Sequence, residues 1–109
     1  MTKETINRTL EEIITRHGFT FTYRQDNWLP AVPQTSDDYA SIVFFEEWDF
    51  DAKTMTATSL ITCHARVCRM GAAPGYDELM KAADQIQRSA QLMQEVNSLK
   101  LEYVQHIGK

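Results

Sequence analysis

Glycine is scarce in this 109-residue chain, four in all, beside two cysteines and three prolines. So few glycines leave little material for phosphate-cradling loops, and neither a Gly-rich phosphate loop nor a G-x-S-x-G nucleophile turn is present. Basic residues are in the minority, 11 Lys and Arg against 15 Asp and Glu, for a formal charge of -4. They are scattered singly (Lys3, Arg8, Arg16, Arg24, Lys53) rather than in a stripe that could neutralise phosphates, so no nucleic-acid partner is expected. No apolar run approaches the length of a membrane span, and the polar start "MTKETINRT" lacks the apolar stretch of a secretory signal. Two cysteines without an export signal predict a reducing cytoplasm and no structural disulfide.

What is present is ordinary globular material, 43% hydrophobic and 24% charged, enough for one core and therefore one domain over residues 1–109. Ile6, Leu10, Ile13, Ile14 and His17 form one stripe on a 3.6-residue repeat, which predicts a helix over 3–17. Thr2 is placed to cap it and Gly18 to end it in a left-handed conformation. "FTFTYR", residues 19–24, alternates apolar and polar and reads as a half-buried strand. Residues 25–38 read as a loop, because Pro30 and Pro33 forbid a central strand. Its Trp28, Leu29 and Val32 are apolar enough either to tuck under the sheet edge or to contact a partner or ligand.

Residues 39–50 and 54–68 are predicted strands joined by a short hairpin at "DAK". With Phe50 opposite Met55, one face pairs Phe44 with Ile61 and Glu46 with Ser59, and the other pairs Phe45 with Leu60 and Ser41 with His64. Residues 69–76 are a turn-rich connection. From about Asp77 a helix carries Leu79, Ala82, Ala83, Ile86, Ala90, Met93 and Val96 as its stripe, with Asn97-Ser98 as a stop. "LKLEYVQHI" then alternates, with Leu99, Leu101, Tyr103 and Ile107 on one side. That suggests a last strand, continuation of the helix being the alternative. The resulting order, α-β-β-β-α-β, implies an α+β two-layer sandwich: a mainly antiparallel sheet of about four strands, two helices on one face.

Four places invite a chemical reading. Cys63, His64 and Cys68 crowd together, but strand alternation sends Cys63 to the helix-covered side and His64 and Cys68 to the other. A zinc site needs three or four converging ligands, and no second cluster supplies them. Cys63 is thus expected in the core, with no metal ligand and no cofactor assigned. Glu46 falls on the core-facing side between Phe44 and Trp48, where an unpaired carboxylate is costly. Either a bulge or the strand end lets it reach water, or it forms a pocket with Trp28, Trp48 and Ser59. Ser41 and His64 in mid-strand lack the orienting acid and oxyanion hole of a working triad, so no catalytic residue is assigned. On the outer face, Tyr39, Val43, Phe45 and Leu60 would lie exposed among threonines and charges, an apolar group that suggests an interface unless the Trp28 loop covers it.

The α-β-β-β-α-β order in a small acidic chain without catalytic motifs resembles the tail-terminator and neck proteins of tailed phages and prophages. The resemblance is one of element order over the whole chain and carries no site residue. It implies a ring-forming structural subunit, in the cytoplasm or the virion. The expectation is therefore a non-enzymatic assembly module, a homo-oligomer or a partner of another protein, with no membrane role. A small-molecule-binding protein or small enzyme using the Glu46, Trp48 and 28–34 region is the alternative.

Overall fold

The computed structural model describes residues 1–68 and 70–107. The chain is α+β: helix α1 (Lys3–Arg16), strands β1 (Thr22–Arg24), β2 (Asn27–Ala31), β3 (Ala40–Asp51) and β4 (Thr56–Val67), helix α2 (Tyr76–Leu99) and strand β5 (Glu102–His106). All pairings are antiparallel, in a two-stranded sheet β1-β2 and a three-stranded sheet β3-β4-β5. The strands thus divide between two sheets instead of forming one of about four. Arg69, the first residue of the connection expected at 69–76, lies outside the described residues.

Helix α1 follows its sequence closely. The Thr2 side chain accepts the Thr5 amide, and Ile6, Leu10, Ile13 and Ile14 are all buried. Gly18 ends it at φ +82. A Cβ there would also lie 2.9 Å from Arg88 Nη1, which donates to the carbonyls of His17 and Gly18. The positive φ is what favours glycine here; a side chain would in addition only have to displace the flexible end of Arg88.

Two expectations for 19–38 need correction. The strand is confined to Thr22–Arg24, with Phe19 and Phe21 packing against the core ahead of it. Residues 27–31, within the expected loop, pair with it as β2. Pro30 is tolerated because this small hairpin has no third strand that needs its missing donor. Leu29 is buried, and Trp28 and Val32 pack against the same core, so this segment covers the helix side of the sheet.

The long hairpin keeps its expected faces but not its expected partners. Phe44 lies opposite Cys63, Phe45 opposite Thr62 and Glu46 opposite Ile61, two residues away from the pairing with Phe50 opposite Met55. The turn is responsible. Pairing runs on to Asp51 opposite Thr56, where the expected register puts Asp49; the Asp51 Oδ1 accepts the Lys53 amide at 2.9 Å, and Met55 adopts a left-handed φ of 52. A shift of two preserves side-chain parity, so Ile42, Phe44, Ile61 and Cys63 face the helices as anticipated.

In α2 the buried positions are Ala82, Ser89, Leu92 and Val96. Ala83 and Ala90, expected in the stripe, are exposed, as is Leu79 at 47%. The helix continues through Asn97-Ser98 to Leu99 and stops at Lys100, which takes a left-handed φ of 50. Asn97 acts sideways: Oδ1 accepts the Cys63 amide at 2.8 Å and Nδ2 donates to its carbonyl at 3.0 Å. It thereby completes the edge of β4 just past Ile61, whose amide bonds Leu101. The last segment is a strand, with Leu101 and Tyr103 buried and Ile107 41% exposed.

The molecule is long, 58 × 25 × 22 Å, with a radius of gyration of 16.6 Å. A compact chain of this size has about 13 Å. Strands of 12 residues in β3 and β4 span about 40 Å. β5 pairs only with Thr56–Leu60, the turn end of that ribbon, so the far end is a three-stranded arm. On it Trp48, Phe50 and Met55 are 50%, 55% and 45% exposed.

Candidate functional site

Glu46 is half-buried on the helix side of β3 and is the acceptor for three donors. The Trp28 indole N–H (3.1 Å), the Ser59 hydroxyl (2.9 Å) and the Tyr103 hydroxyl (3.1 Å) all reach its Oε1. Each donor comes from a different strand. Ser59 sits opposite Trp48 and Tyr103 across the sheet, and reaches Glu46 along the diagonal of the ladder. Trp28 arrives from β2, and its carbonyl is held by Asn7 Nδ2 of α1 at 2.8 Å. One carboxylate oxygen thus ties β2, β4 and β5 to β3 directly, and α1 through Trp28. Charge-assisted bonds of this kind are the strong ones, which is how a carboxylate is tolerated on a core-facing side.

The rings around it are set edge to face. Tyr103 meets Trp28 at 5.3 Å and 86°, and Trp48 at 5.6 Å and 85°. The Tyr103 phenol is pushed above its ordinary value, first by burial and then by donating to Glu46 beside the carboxylate charge. Ser59 is fully buried, which denies it the access a nucleophile needs. Of the residues expected to form a pocket, Trp28, Glu46 and Ser59 do converge, and Trp48 joins them through Tyr103. Tyr103 and Lys3, whose ammonium lies over the Trp28 and Tyr103 rings, were not anticipated. The alternation of "LEYVQ" marks a strand able to pair with β4, but not the register that brings Tyr103 to Glu46. Nothing in the sequence signals Lys3.

The outer face has a different character. Val43 and Phe45 are 36% and 44% exposed, and Leu60 is partly exposed. Val104 of β5, 55% exposed, extends the group. Phe45 meets the His64 ring at 5.2 Å, beside a shallow depression of ≈ 510 Å³ lined by Phe45, Glu47, His64 and Arg66. Tyr39 does not join this strip. Its amide donates to Gln85 Oε1 at 2.6 Å and Lys81 lies over its ring at 6.0 Å, which places it against α2. Tyr39 precedes the first paired residue of β3, so strand alternation does not govern its direction.

Cys63 is 1% exposed, and burial pushes its thiol up to about 12. His64 is exposed on the opposite face, and Cys68 Sγ accepts from Gln34 Nε2 at 3.1 Å. His17, expected merely to complete a helical stripe, bonds Glu95 through Nε2 at 2.9 Å, and Arg16 clamps the same carboxylate with two bonds of 2.8 Å. This ion group holds the end of α1 to α2. Comparison of the chain with protein families, with curated proteins and with solved structures returns no match.

Proposed function

We propose that this protein is a non-enzymatic assembly module that associates with further copies of itself through the outer face of the β3-β4-β5 sheet. The observation that carries this reading is the apolar strip on the face away from both helices, with Val43, Phe45 and Val104 exposed and Leu60 partly so. Single exposed apolar residues are common, but a group spread over three adjacent strands is what a protein contact uses. The elongated shape supports the same reading, since the three-stranded arm offers a surface beyond the globular part. The element order extends the proposal to a ring-forming structural subunit of the phage tail-terminator or neck kind, with β2 as a departure from the α-β-β-β-α-β order.

Phe45 is the natural anchor, being the largest residue of the strip and flanked by the His64 ring. Phe45→Glu should weaken self-association about thirtyfold or more, the scale of a central aromatic contact. Circular dichroism should change little, because the substitution touches solvent. Sedimentation velocity across a concentration series reads the result. A wild type that stays monomeric at the highest concentration removes the proposal, and a variant that unfolds shows Phe45 to be a core residue.

A further inference from the structure

The corner between α1 and β5 holds a cation. Lys3 Nζ lies 5.3 Å from the ring centroid of Trp28 and 5.3 Å from that of Tyr103, inside the ~6 Å range of cation–π attraction. The two rings stand at 86° with centroids 5.3 Å apart, so they form two walls rather than a stack. Lys3 is the first residue of α1, where the positive end of the helix dipole disfavours an ammonium. The ring faces, with the Glu46 carboxylate behind them, supply the opposing potential.

The walls are fixed without Lys3. Trp28 is held by its indole bond to Glu46 and by Asn7 on its carbonyl, and Tyr103 by its hydroxyl bond to Glu46 and its contact with Trp48. Lys3 itself is exposed at the very start of the helix, where its side chain can swing out at little cost. A rigid aromatic corner with a removable occupant is a preorganised site.

We propose that the Trp28–Tyr103 corner binds an alkylammonium group, and that the chain's own Lys3 fills it until such a group displaces it. A primary ammonium is compact and strongly hydrated, and it gives up that hydration at a ring face. A trimethylammonium group keeps the charge, holds water weakly and brings methyl groups to both walls, which is why aromatic corners favour it. The group has two sources with the same chemistry, a free choline-like molecule or a trimethyllysine side chain on a peptide.

The indole Nε1–H of Trp28 reports directly on the site by nuclear magnetic resonance. Tetramethylammonium chloride is titrated into wild type and Lys3→Met, with sodium chloride at equal ionic strength as the control. The expected result is a saturable movement of the Trp28 indole signal, with its midpoint about fivefold lower in Lys3→Met because the internal competitor is gone. Choline and a trimethyllysine peptide are then compared on the same signal. A peptide midpoint about tenfold below that of choline identifies a protein source, and equal midpoints identify a small molecule; either supports the site. Movement that sodium chloride reproduces, or a midpoint that Lys3→Met leaves unchanged or raises, overturns the proposal. Lys3 is exposed, so the variant folds, and its amide spectrum verifies that.

Discussion

Glu46→Leu removes the acceptor shared by Trp28, Ser59 and Tyr103 while keeping a side chain of similar reach. Ser59 is fully buried and Tyr103 is 8% exposed, so neither hydroxyl finds water in exchange. A buried donor left without a partner costs about 1–3 kcal/mol, and two of them about 2–6. Trp28 is only half-buried and adds less than either. The leucine returns at most about 1 kcal/mol, because the position is half-buried too. A net loss of about 3 kcal/mol is expected, against the 5–15 kcal/mol that typically holds a domain together. The midpoint of thermal unfolding should fall by roughly 12 °C or more. Glu46→Gln is the control: it keeps an amide oxygen as acceptor, loses only the charge-assisted part of the bonds, and should cost about 1 kcal/mol. Urea unfolding followed by far-ultraviolet circular dichroism measures both, with equal slopes confirming that only stability changed. If the leucine variant falls within about 1 kcal/mol of wild type, Glu46 does not tie the strands together. If glutamine damages as much as leucine, the carboxylate is read wrongly.

Thiol labelling of the folded protein should modify partly exposed Cys68 at least about tenfold faster than buried Cys63. The Cys63 thiol is raised from 9.0 to about 12 in the fold, so its contribution is complete below its unfolded value and is lost as pH rises toward 12. Cys63→Val should therefore flatten the alkaline loss of stability, and an unchanged alkaline slope would assign that loss to other groups. Glu95 is held below the ordinary carboxylate range, first by its hydrogen bond to His17 and, against an opposing burial effect, by Arg16. A depressed carboxyl stabilises at neutral pH and its contribution is lost on acidification through its folded value. Glu95→Gln should be less stable than wild type near neutral pH and converge with it in acid, as read by thermal unfolding across pH; a gap that persists in acid would mark lost packing.

The legible part of the fold is the part where local pattern decides. Two alternating runs fixed which side of the β3-β4 ribbon faces the helices, because parity survives any even shift of register. The register itself depends on the turn, where Met55 takes a left-handed conformation with no glycine or asparagine to announce it. Strand β2 was hidden by Pro30, which argues against a central strand but not against a partner in an isolated hairpin. The stripe of α2 was misread. Ser89 and Leu92 are the buried positions where Ala90 and Met93 are expected, a stripe turned by one residue, and the first turns carry exposed Leu79 and Met80.

The Glu46 cluster shows how far a single anomalous residue can lead. A carboxylate on a core-facing strand position demands donors, and Ser59 and Trp28 were both within view of that demand. The pairing that suggested Ser59 was wrong by two residues, yet the bond exists, because a glutamate side chain spans the diagonal that the true register leaves. Tyr103 could not be reached in this way. Its arrival depends on β5 returning along the turn end of β4, a long-range pairing that hydrophobic alternation permits but does not specify. The third donor is set by that long-range pairing and not by the demand of the carboxylate, since a half-buried carboxylate can also be satisfied by water. Lys3 lies one step further out: its place over the rings follows only once Trp28 and Tyr103 have been brought together by the carboxylate between them.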